Sequence, residues 1–172
     1  MRLFIALDLS DDVKHALADN AKKLKEIAKK GSFSREKNFH VTLAFLGEVP
    51  EYKLKAVIKA ISSVEMNDFE FVIEGLSYFD SADGKIYWRG IKRSEELNAL
   101  ARVVSRNLMF EGFLPDSKPY RPHITLARRC KADISDVSFE PIVTNAGKIS
   151  VMRSQRCDGK LVYTEIYHKK LL

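Results

Sequence analysis

The chain has 172 residues, 45% of them hydrophobic, which is enough for one well-buried domain or for two small lobes that share a core. Lysine and arginine outnumber aspartate and glutamate by 29 to 23, and the formal net charge of +6 favours polyanionic partners. The two cysteines, Cys130 and Cys157, have neither CxxC nor zinc-ribbon spacing, which argues against a disulfide framework and predicts a reducing, cytoplasmic location. The apolar run at Met1 is too short for a signal-peptide core or a membrane span, so no membrane partner is expected.

The first half of the chain alternates strand-like and helix-like segments. "RLFIALDL" predicts a buried strand, and "SDDVKHALADNAKKLKEIAKKG" predicts a helix with Ser10 at its N-cap and Gly31 just beyond its end. "FHVTLAFLGEV" predicts the next strand, and "PEYKLKAVIKAISSV" has apolar residues at helical spacing.

The second half continues the alternation and ends in strands. "FEFVIEGLSYF" and "KIYWRGIK" predict two strands joined by the turn-forming "DSADG". "SEELNALARVVSRNLMFEGF" predicts an amphipathic helix capped by Ser94. "HITLAR", "GKISVMRSQR" and "LVYTEIYHKKL" predict closing strands, so the fold class is α+β.

One short motif occurs in both halves of the chain. The sequence His-Val-Thr-Leu-Ala begins at His40, and His-Ile-Thr-Leu-Ala begins at His123, about half the chain length later. Such a repeat predicts two related lobes around a pseudo-twofold axis. Strand alternation places each histidine on the same face as its threonine and the following alanine, with Phe45 on the opposite face. The two motif strands are therefore expected to bring two histidines and two threonines into one cleft.

Paired histidines and threonines suit displacement at a phosphodiester. Because the unperturbed pKa of histidine is about 6.5, one imidazole can remove a proton while another donates one near neutral pH. Threonine hydroxyls on the same face can donate hydrogen bonds to phosphoryl oxygens as negative charge develops. This scheme requires neither a metal nor a cofactor.

The paired His-x-Thr-Leu motifs, the second within "YRPHITLAR", resemble those of the 2H phosphoesterase superfamily. The resemblance is closest to the RNA 2′,3′-cyclic phosphodiesterases, which were first described as 2′-5′ RNA ligases. It implies a bilobal α+β fold with two antiparallel sheets lining a central cleft and helices outside, in a single domain spanning residues 1–172. It also implies metal-free hydrolysis of RNA 2′,3′-cyclic phosphate ends to 2′-phosphomonoesters, with 2′-5′ ligation as a related activity.

The resemblance also assigns roles to residues of this chain. His40 is expected to be the general acid, His123 the general base, and Thr42 and Thr125 the groups that hold the phosphate oxygens. Arg128 corresponds to the basic residue that follows the second motif in the family. Simple alternation places Arg128 on the face opposite His123, so its role requires a bulge or a strand end. Arg121, which shares the face of the histidine, is the rival phosphate ligand.

The resemblance implies a cytoplasmic monomer whose partners are RNAs with cyclic phosphate ends, tRNA fragments among them. Four aromatic residues are candidates either for the core or for base stacking, with the core favoured: Phe39, Phe45, Trp88 and Tyr120. His15 and His168 have no repeated partner and are expected to be structural or exposed.

Two alternatives come from other classes of protein. A noncatalytic single-stranded RNA-binding module would account for the charge and the aromatic residues, but it gives no reason to repeat His-x-Thr. A zinc hydrolase could combine the histidines with Cys130 or with aspartates, although zinc needs at least three protein ligands and no such spacing is recognisable.

Overall fold

The computed structural model describes all 172 residues as nine strands and three α-helices. In chain order the elements are β1 (Arg2–Leu7), α1 (Asp11–Ile27), β2 (Lys30–Phe33), β3 (Val41–Glu48), α2 (Leu54–Ser62), β4 (Phe69–Ser81), β5 (Gly84–Ile91), α3 (Glu95–Phe110), β6 (His123–Lys131), β7 (Ile142–Ala146), β8 (Lys148–Cys157) and β9 (Lys160–Lys170). Short 3₁₀ turns at Glu36–Asn38 and Glu51–Lys53 precede β3 and α2. None of the three helices combines the length and the apolar character that a membrane span requires.

The strands form two antiparallel sheets. One has four strands in the order β3-β1-β8-β9, and the other has five in the order β2-β6-β5-β4-β7. The four-stranded sheet contains β3, which follows His40, and the five-stranded sheet contains β6, which begins at His123. The predicted α+β class with two antiparallel sheets is confirmed. That the chain is a single domain of two related lobes stays a prediction.

Each of the two long helices follows a strand of one sheet and packs on the other sheet. α1 follows β1 of the four-stranded sheet but packs on β2 and β6 of the five-stranded sheet, whereas α3 follows β5 and packs on β3. Both helices bury apolar residues at three- and four-residue spacing, as their periodicity predicts. A continuous cluster of 34 buried apolar residues joins both sheets to the helices, so the two sheets are held at a fixed separation.

The end of α1 differs from the sequence prediction. The helix ends at Ile27, and Gly31, expected just past the helix, lies inside β2. Lys29 N–H donates to the carbonyl of Lys131 at 2.8 Å, so pairing with β6 takes the chain away from the helix. A Cβ atom at Gly31 would lie 3.0 Å from Cys130 Sγ, and glycine permits this close approach of the two strands. The predicted N-cap Ser10 makes no side-chain capping hydrogen bond.

Other local predictions are confirmed. β4 and β5 form the expected antiparallel hairpin around the "DSADG" turn. The Ser94 hydroxyl accepts a hydrogen bond from the Leu97 backbone N–H at 3.1 Å and caps α3. The short edge strands β2 and β7 were not predicted from the sequence.

Candidate active site

Both motif strands contain a β-bulge at the same position. In β3, Thr42 is paired with Ala6 of β1 and Ala44 with Ile5, so Leu43 is an extra residue. In β6, Thr125 is paired with Trp88 of β5 and Ala127 with Tyr87, so Leu126 is extra. The leucine of each His-x-Thr-Leu motif is therefore the bulged residue.

The bulges change which face each following residue occupies. Leu43 and Ala44 are both buried, as are Leu126 and Ala127, and the alternation resumes one residue late. The prediction that each alanine shares the cleft face with its histidine is therefore wrong, and so is the prediction that Phe45 lies on the core face, since 44% of Phe45 is exposed. The same shift returns Arg128 to the side of His123.

A cavity of about 440 Å³ lies between the two sheets, and all five predicted site residues line it. These five are His40, Thr42, His123, Thr125 and Arg128. The other lining residues are Ser32, Phe33, Ser34, Arg35, Asn38, Arg129, Arg156, Gly159, Lys160, Leu161 and Tyr163. Arg121 does not line this cavity, because its guanidinium lies over the rings of Phe79 and Trp88, 5.5 and 5.6 Å from their centroids.

Each histidine is oriented by the carbonyl two residues before it. His40 Nδ1 lies 2.7 Å from the Asn38 carbonyl oxygen, and His123 Nδ1 lies 2.8 Å from that of Arg121. A carbonyl oxygen only accepts hydrogen bonds, so each neutral imidazole carries its proton on Nδ1 and has its lone pair on Nε2. His40 Nε2 accepts a hydrogen bond from Thr42 Oγ1 at 3.0 Å, whereas His123 Nε2 has no partner within the protein.

Two aromatic rings hold each imidazole in place. The centroid of the His40 ring lies 4.8 Å from that of Phe4 and 5.3 Å from that of Tyr163. The centroid of the His123 ring lies 5.1 Å from that of Phe79 and 5.8 Å from that of Trp88. The rings restrict both imidazoles to one orientation and remove water from their faces.

Burial depresses the pKa of both histidines. It lowers the pKa of His40 to about 4, and the positive charges of Arg128, His123 and Lys14 act in the same direction. Burial also lowers the pKa of His123, again with repulsion from Arg128 and Arg121. Both imidazoles are therefore neutral at pH 7 in the unliganded protein. An anion bound beside them favours their charged forms and raises both pKa values.

The cavity is positively charged and contains no carboxylate. Its cationic lining residues are Arg35, Arg128, Arg129, Arg156 and Lys160. Burial raises the pKa of Tyr163, so its hydroxyl stays protonated. A site of guanidinium groups, hydroxyls and neutral imidazoles suits an anion such as a phosphodiester.

Three of these site residues carry no signal in the sequence. Tyr163 comes from β9, near the end of the chain, and contacts His40 only because β9 folds beside β8. The side chains of Arg35 and Asn38 donate hydrogen bonds to the carbonyl of Leu161, at 2.6 and 3.1 Å. These bonds fix the β8–β9 hairpin against the cavity. No repeat or motif marks any of the three.

The aromatic candidates mostly belong to the core. Phe39 and Trp88 are buried, and the Tyr120 hydroxyl donates to the carbonyl of Thr42 at 3.1 Å. Phe45 is the exposed one of the four, with the Arg2 guanidinium 5.1 Å from its ring centroid.

The remaining histidines lie on the surface. His15 Nδ1 is 3.4 Å from a carboxylate oxygen of Glu36, and His168 Nδ1 is 2.9 Å from one of Glu165. Their expected exposed positions are confirmed.

No three side chains of the types His, Cys, Asp and Glu come together in a set that could hold a metal ion. Cys130, the residue considered for a zinc site, is buried in the core against Gly31. The donor atoms around the histidines are hydroxyls, guanidinium groups and an amide, which are poor zinc ligands.

The family profile of the LigT-like phosphoesterases matches residues 7–87 and 91–163 of this chain. The chain belongs to this family. The resemblance predicted from the two His-x-Thr-Leu motifs is thus confirmed at the level of the family.

Similar proteins come from several organisms. An RNA 2′,3′-cyclic phosphodiesterase of Thermotoga maritima is 27% identical over 176 residues, covering 97% of this chain and 94% of the relative. One of Geobacillus stearothermophilus is 32% identical over 141 residues, or 80% of this chain, which spans 44% of that relative. The structure of E. coli LigT complexed with 3′-AMP superposes with a TM-score of 0.82 at 24% identity, covering 99% of this chain and 97% of LigT. This last likeness shows the fold.

Proposed function

We propose that this protein hydrolyses 2′,3′-cyclic phosphate ends of RNA to 2′-phosphomonoesters, without a metal ion. The observation that carries the proposal is the duplicated arrangement of histidine and threonine in one carboxylate-free, basic cavity. The activity named for the relatives from Thermotoga maritima and Geobacillus stearothermophilus supports it. The natural substrates include tRNA fragments, and the protein acts as a monomer in the cytoplasm.

In the proposed reaction His123 is the general base. Its Nε2, which has no partner within the protein, removes a proton from a water molecule as the water oxygen attacks phosphorus. The bond between phosphorus and the 3′ oxygen breaks. His40 donates the proton on Nε2 to that oxygen, and the product carries a 2′-phosphate and a 3′-hydroxyl.

The depressed pKa of His40 sets a condition on this role. With a pKa of about 4 the free imidazole is neutral at pH 7, so the general acid must gain its proton when the negatively charged substrate binds. Nδ1 already donates to Asn38, so the added proton goes to Nε2, the atom that faces the threonine hydroxyl. Substrate binding thus prepares the acid.

Three further side chains bind the phosphate in this scheme. Thr42 and Thr125 donate hydrogen bonds to its non-bridging oxygens. Arg128, which the bulge brings into the cavity, supplies a forked pair of N–H donors and a positive charge. This charge stabilises the phosphorane-like transition state more than the singly charged ground state.

Ligation is the same displacement with an RNA 5′-hydroxyl in place of water. A 5′-hydroxyl attacks phosphorus, the bond between phosphorus and the 3′ oxygen breaks, and the ring opens to leave a 2′-5′ phosphodiester and a 3′-hydroxyl. Hydrolysis is expected to be faster, because water is abundant while a second RNA end must be positioned at an entropic cost. Time courses in which the ligated product accumulates faster than the monoester would contradict this order.

The test is phosphorus NMR of a short RNA ending in a 2′,3′-cyclic phosphate, incubated with the protein in EDTA. Wild type is expected to produce the 2′-monoester, and His40→Ala and His123→Ala are expected to leave the cyclic phosphate intact. A cyclic end that persists with wild type contradicts the proposal and favours an RNA-binding module. If wild type turns the substrate over without EDTA but not in its presence, a metal-dependent reaction is favoured.

A further inference from the structure

A second cavity opens from the catalytic centre along α3. Its volume is about 650 Å³, and it shares Thr42 and His123 with the first cavity. An RNA strand whose terminal phosphate lies between the two histidines can therefore extend directly into this second cavity. We call this second cavity the α3 arm. Its cationic lining residues are Arg102, Arg106, Lys118 and Arg121.

One wall of the α3 arm is a single face of the helix. Asn98, Arg102 and Arg106 follow one another at four-residue spacing and all line the arm. Residues at this spacing lie in one row, so Arg102 and Arg106 are ~6 Å apart along the helix axis. Both arginines are exposed to solvent. The helix thus presents a row of two guanidinium groups along one wall of the α3 arm.

The opposite wall is the segment that precedes β6. The Tyr120 hydroxyl donates to the carbonyl of Thr42 at 3.1 Å and fixes this segment to β3. Next to it, the Arg121 guanidinium lies over the rings of Phe79 and Trp88. Arg121 is therefore held at the inner end of the α3 arm, beside the histidine whose Nδ1 donates to its carbonyl.

The positive charges of the α3 arm are not neutralised within the protein. None of its four cations takes part in an ion pair. Its one carboxylate, that of Asp116, accepts a hydrogen bond from the Lys118 backbone N–H at 3.2 Å. Clustered like charges repel one another until an anion binds, so the arm favours a polyanion.

A rival basic surface lies on the other side of the catalytic cavity, and its charges are partly satisfied. There Arg129 lies 4.0 Å from a carboxylate oxygen of Asp83, and Lys85 Nζ lies 3.5 Å from the ring centroid of Tyr78. This surface shares only Ser32 and Arg129 with the catalytic cavity, and neither is a motif residue. The α3 arm shares His123 and Thr42 with the catalytic cavity, and none of its cations is held in an ion pair, so it is the better site for the rest of the substrate.

We propose that the α3 arm binds the phosphates of the RNA strand on the 5′ side of the cyclic end. This inference rests on the proposed function, which places the terminal phosphate between the histidines. Arg121, beside His123, contacts the phosphate nearest to the end, and Arg102 and Arg106 contact phosphates further along the RNA strand. The protein therefore prefers oligonucleotides to a mononucleotide cyclic phosphate.

The test compares two substrates, adenosine 2′,3′-cyclic phosphate and a pentaadenylate with the same cyclic end. For the double variant Arg102→Ala/Arg106→Ala we expect kcat/KM on the pentamer to fall by about tenfold, mostly through KM, because two charged phosphate contacts are lost. Hydrolysis of the mononucleotide should change less than twofold. The slope of log kcat/KM against log salt concentration should fall by about one for each lost contact.

The matched control is Lys22→Ala/Lys25→Ala, which removes two positive charges from the exposed face of α1. Thermal melts of both variants should match wild type, because exposed helical positions tolerate alanine. The inference is overturned if the arginine variant loses activity equally on both substrates, if it loses none, or if the lysine variant shows the same length-dependent loss.

A second measurement separates this inference from the proposed function. If wild type hydrolyses neither substrate, the proposed function fails, and binding of a 5′-labelled pentaadenylate is measured by fluorescence anisotropy. Binding about tenfold weaker in the arginine variant than in the lysine variant supports the α3 arm as an RNA site. Equal binding overturns it, and so does equal competition by an acidic peptide of the same charge, which would favour a protein partner.

Discussion

The two motif strands, β3 and β6, have the same backbone and different chemistry. Both have a bulge at the leucine of the motif, and both fix histidine Nδ1 on a carbonyl two residues earlier. Five residues after the histidine, however, one strand has Phe45 and the other Arg128. In each strand the bulge turns this residue away from the buried core. The local geometry is thus duplicated, while the electrostatic environment of each histidine is set separately.

The largest expected effect comes from removing either histidine. His40→Ala and His123→Ala should each lower kcat by about 10²- to 10⁴-fold, because each removes one proton-transfer group. The kcat of the double variant should be only slightly below that of the less active single variant, since the two groups act in one step. Hydrolysis of the cyclic phosphate, followed by phosphorus NMR, checks this. His15→Ala and His168→Ala are the matched controls and should be as active as wild type.

Substitution of the two threonines should have similar effects on kcat but different effects on the pKa of His40. Thr42→Val and Thr125→Val each remove one donor to the phosphate and should lower kcat by about 10²-fold. Thr42 also donates to the neutral form of His40, so Thr42→Val should raise the pKa of His40, whereas Thr125→Val should not. Histidine titration by NMR measures both variants. Equal pKa shifts of His40 in the two variants would contradict this assignment.

Phe45 and Arg128 occupy equivalent positions in the two motif strands, and their substitution should distinguish the contribution of a charge from that of an apolar contact. Arg128→Ala should lower kcat/KM by about 10- to 100-fold through the loss of a charge-assisted hydrogen bond, and Arg128→Lys should restore part of it. Phe45→Ala should affect mainly KM, and by less, because an exposed aromatic ring offers a stacking surface for a base but no charge for the phosphate. Steady-state kinetics, with the exposed Arg93→Ala as control, measures both. A purely structural role for Arg128 would leave Arg128→Lys as inactive as Arg128→Ala.

The smallest expected effect is a displacement of the pH profile. In the free protein both histidine pKa values lie below 6.5, so the bell-shaped profile of kcat/KM should be centred below pH 6.5. Bound substrate is anionic and raises both values, so the profile of kcat should be centred at higher pH than that of kcat/KM. Profiles that coincide would show that substrate charge does not set the protonation of His40.

The depressed pKa values also affect stability, in a direction that can be measured. The pKa of unfolded histidine is about 6.5, so the unfolded chain binds more protons than the folded protein below that pH. The free energy of unfolding should therefore decrease as the pH falls from 6.5 toward 4. Denaturant titrations should show less of this decrease in His40→Ala than in wild type.

Much of the fold and part of the site follow from local sequence. The periodicity of apolar residues predicted the three helices and the longer strands, and Ser94 was correctly identified as a cap. The repeated His-x-Thr-Leu located four residues of the cavity, because a repeat on two strands is a pattern within the sequence itself. The edge strands β2 and β7 were missed, since short strands exist only through pairing with distant partners.

The sequence by itself determined which residues are candidates for the chemistry and where the helices and the longer strands lie. The tertiary structure decided three other things: the bulges that turn Arg128 toward the histidines and Ala44 into the core, the contact of Tyr163 with His40, and the low pKa of His40. Each of these depends on register and burial between segments far apart in the chain. Hydrogen-bond register is set by the partner strand, and desolvation by everything that packs around a side chain, so neither is encoded in the few residues of a motif.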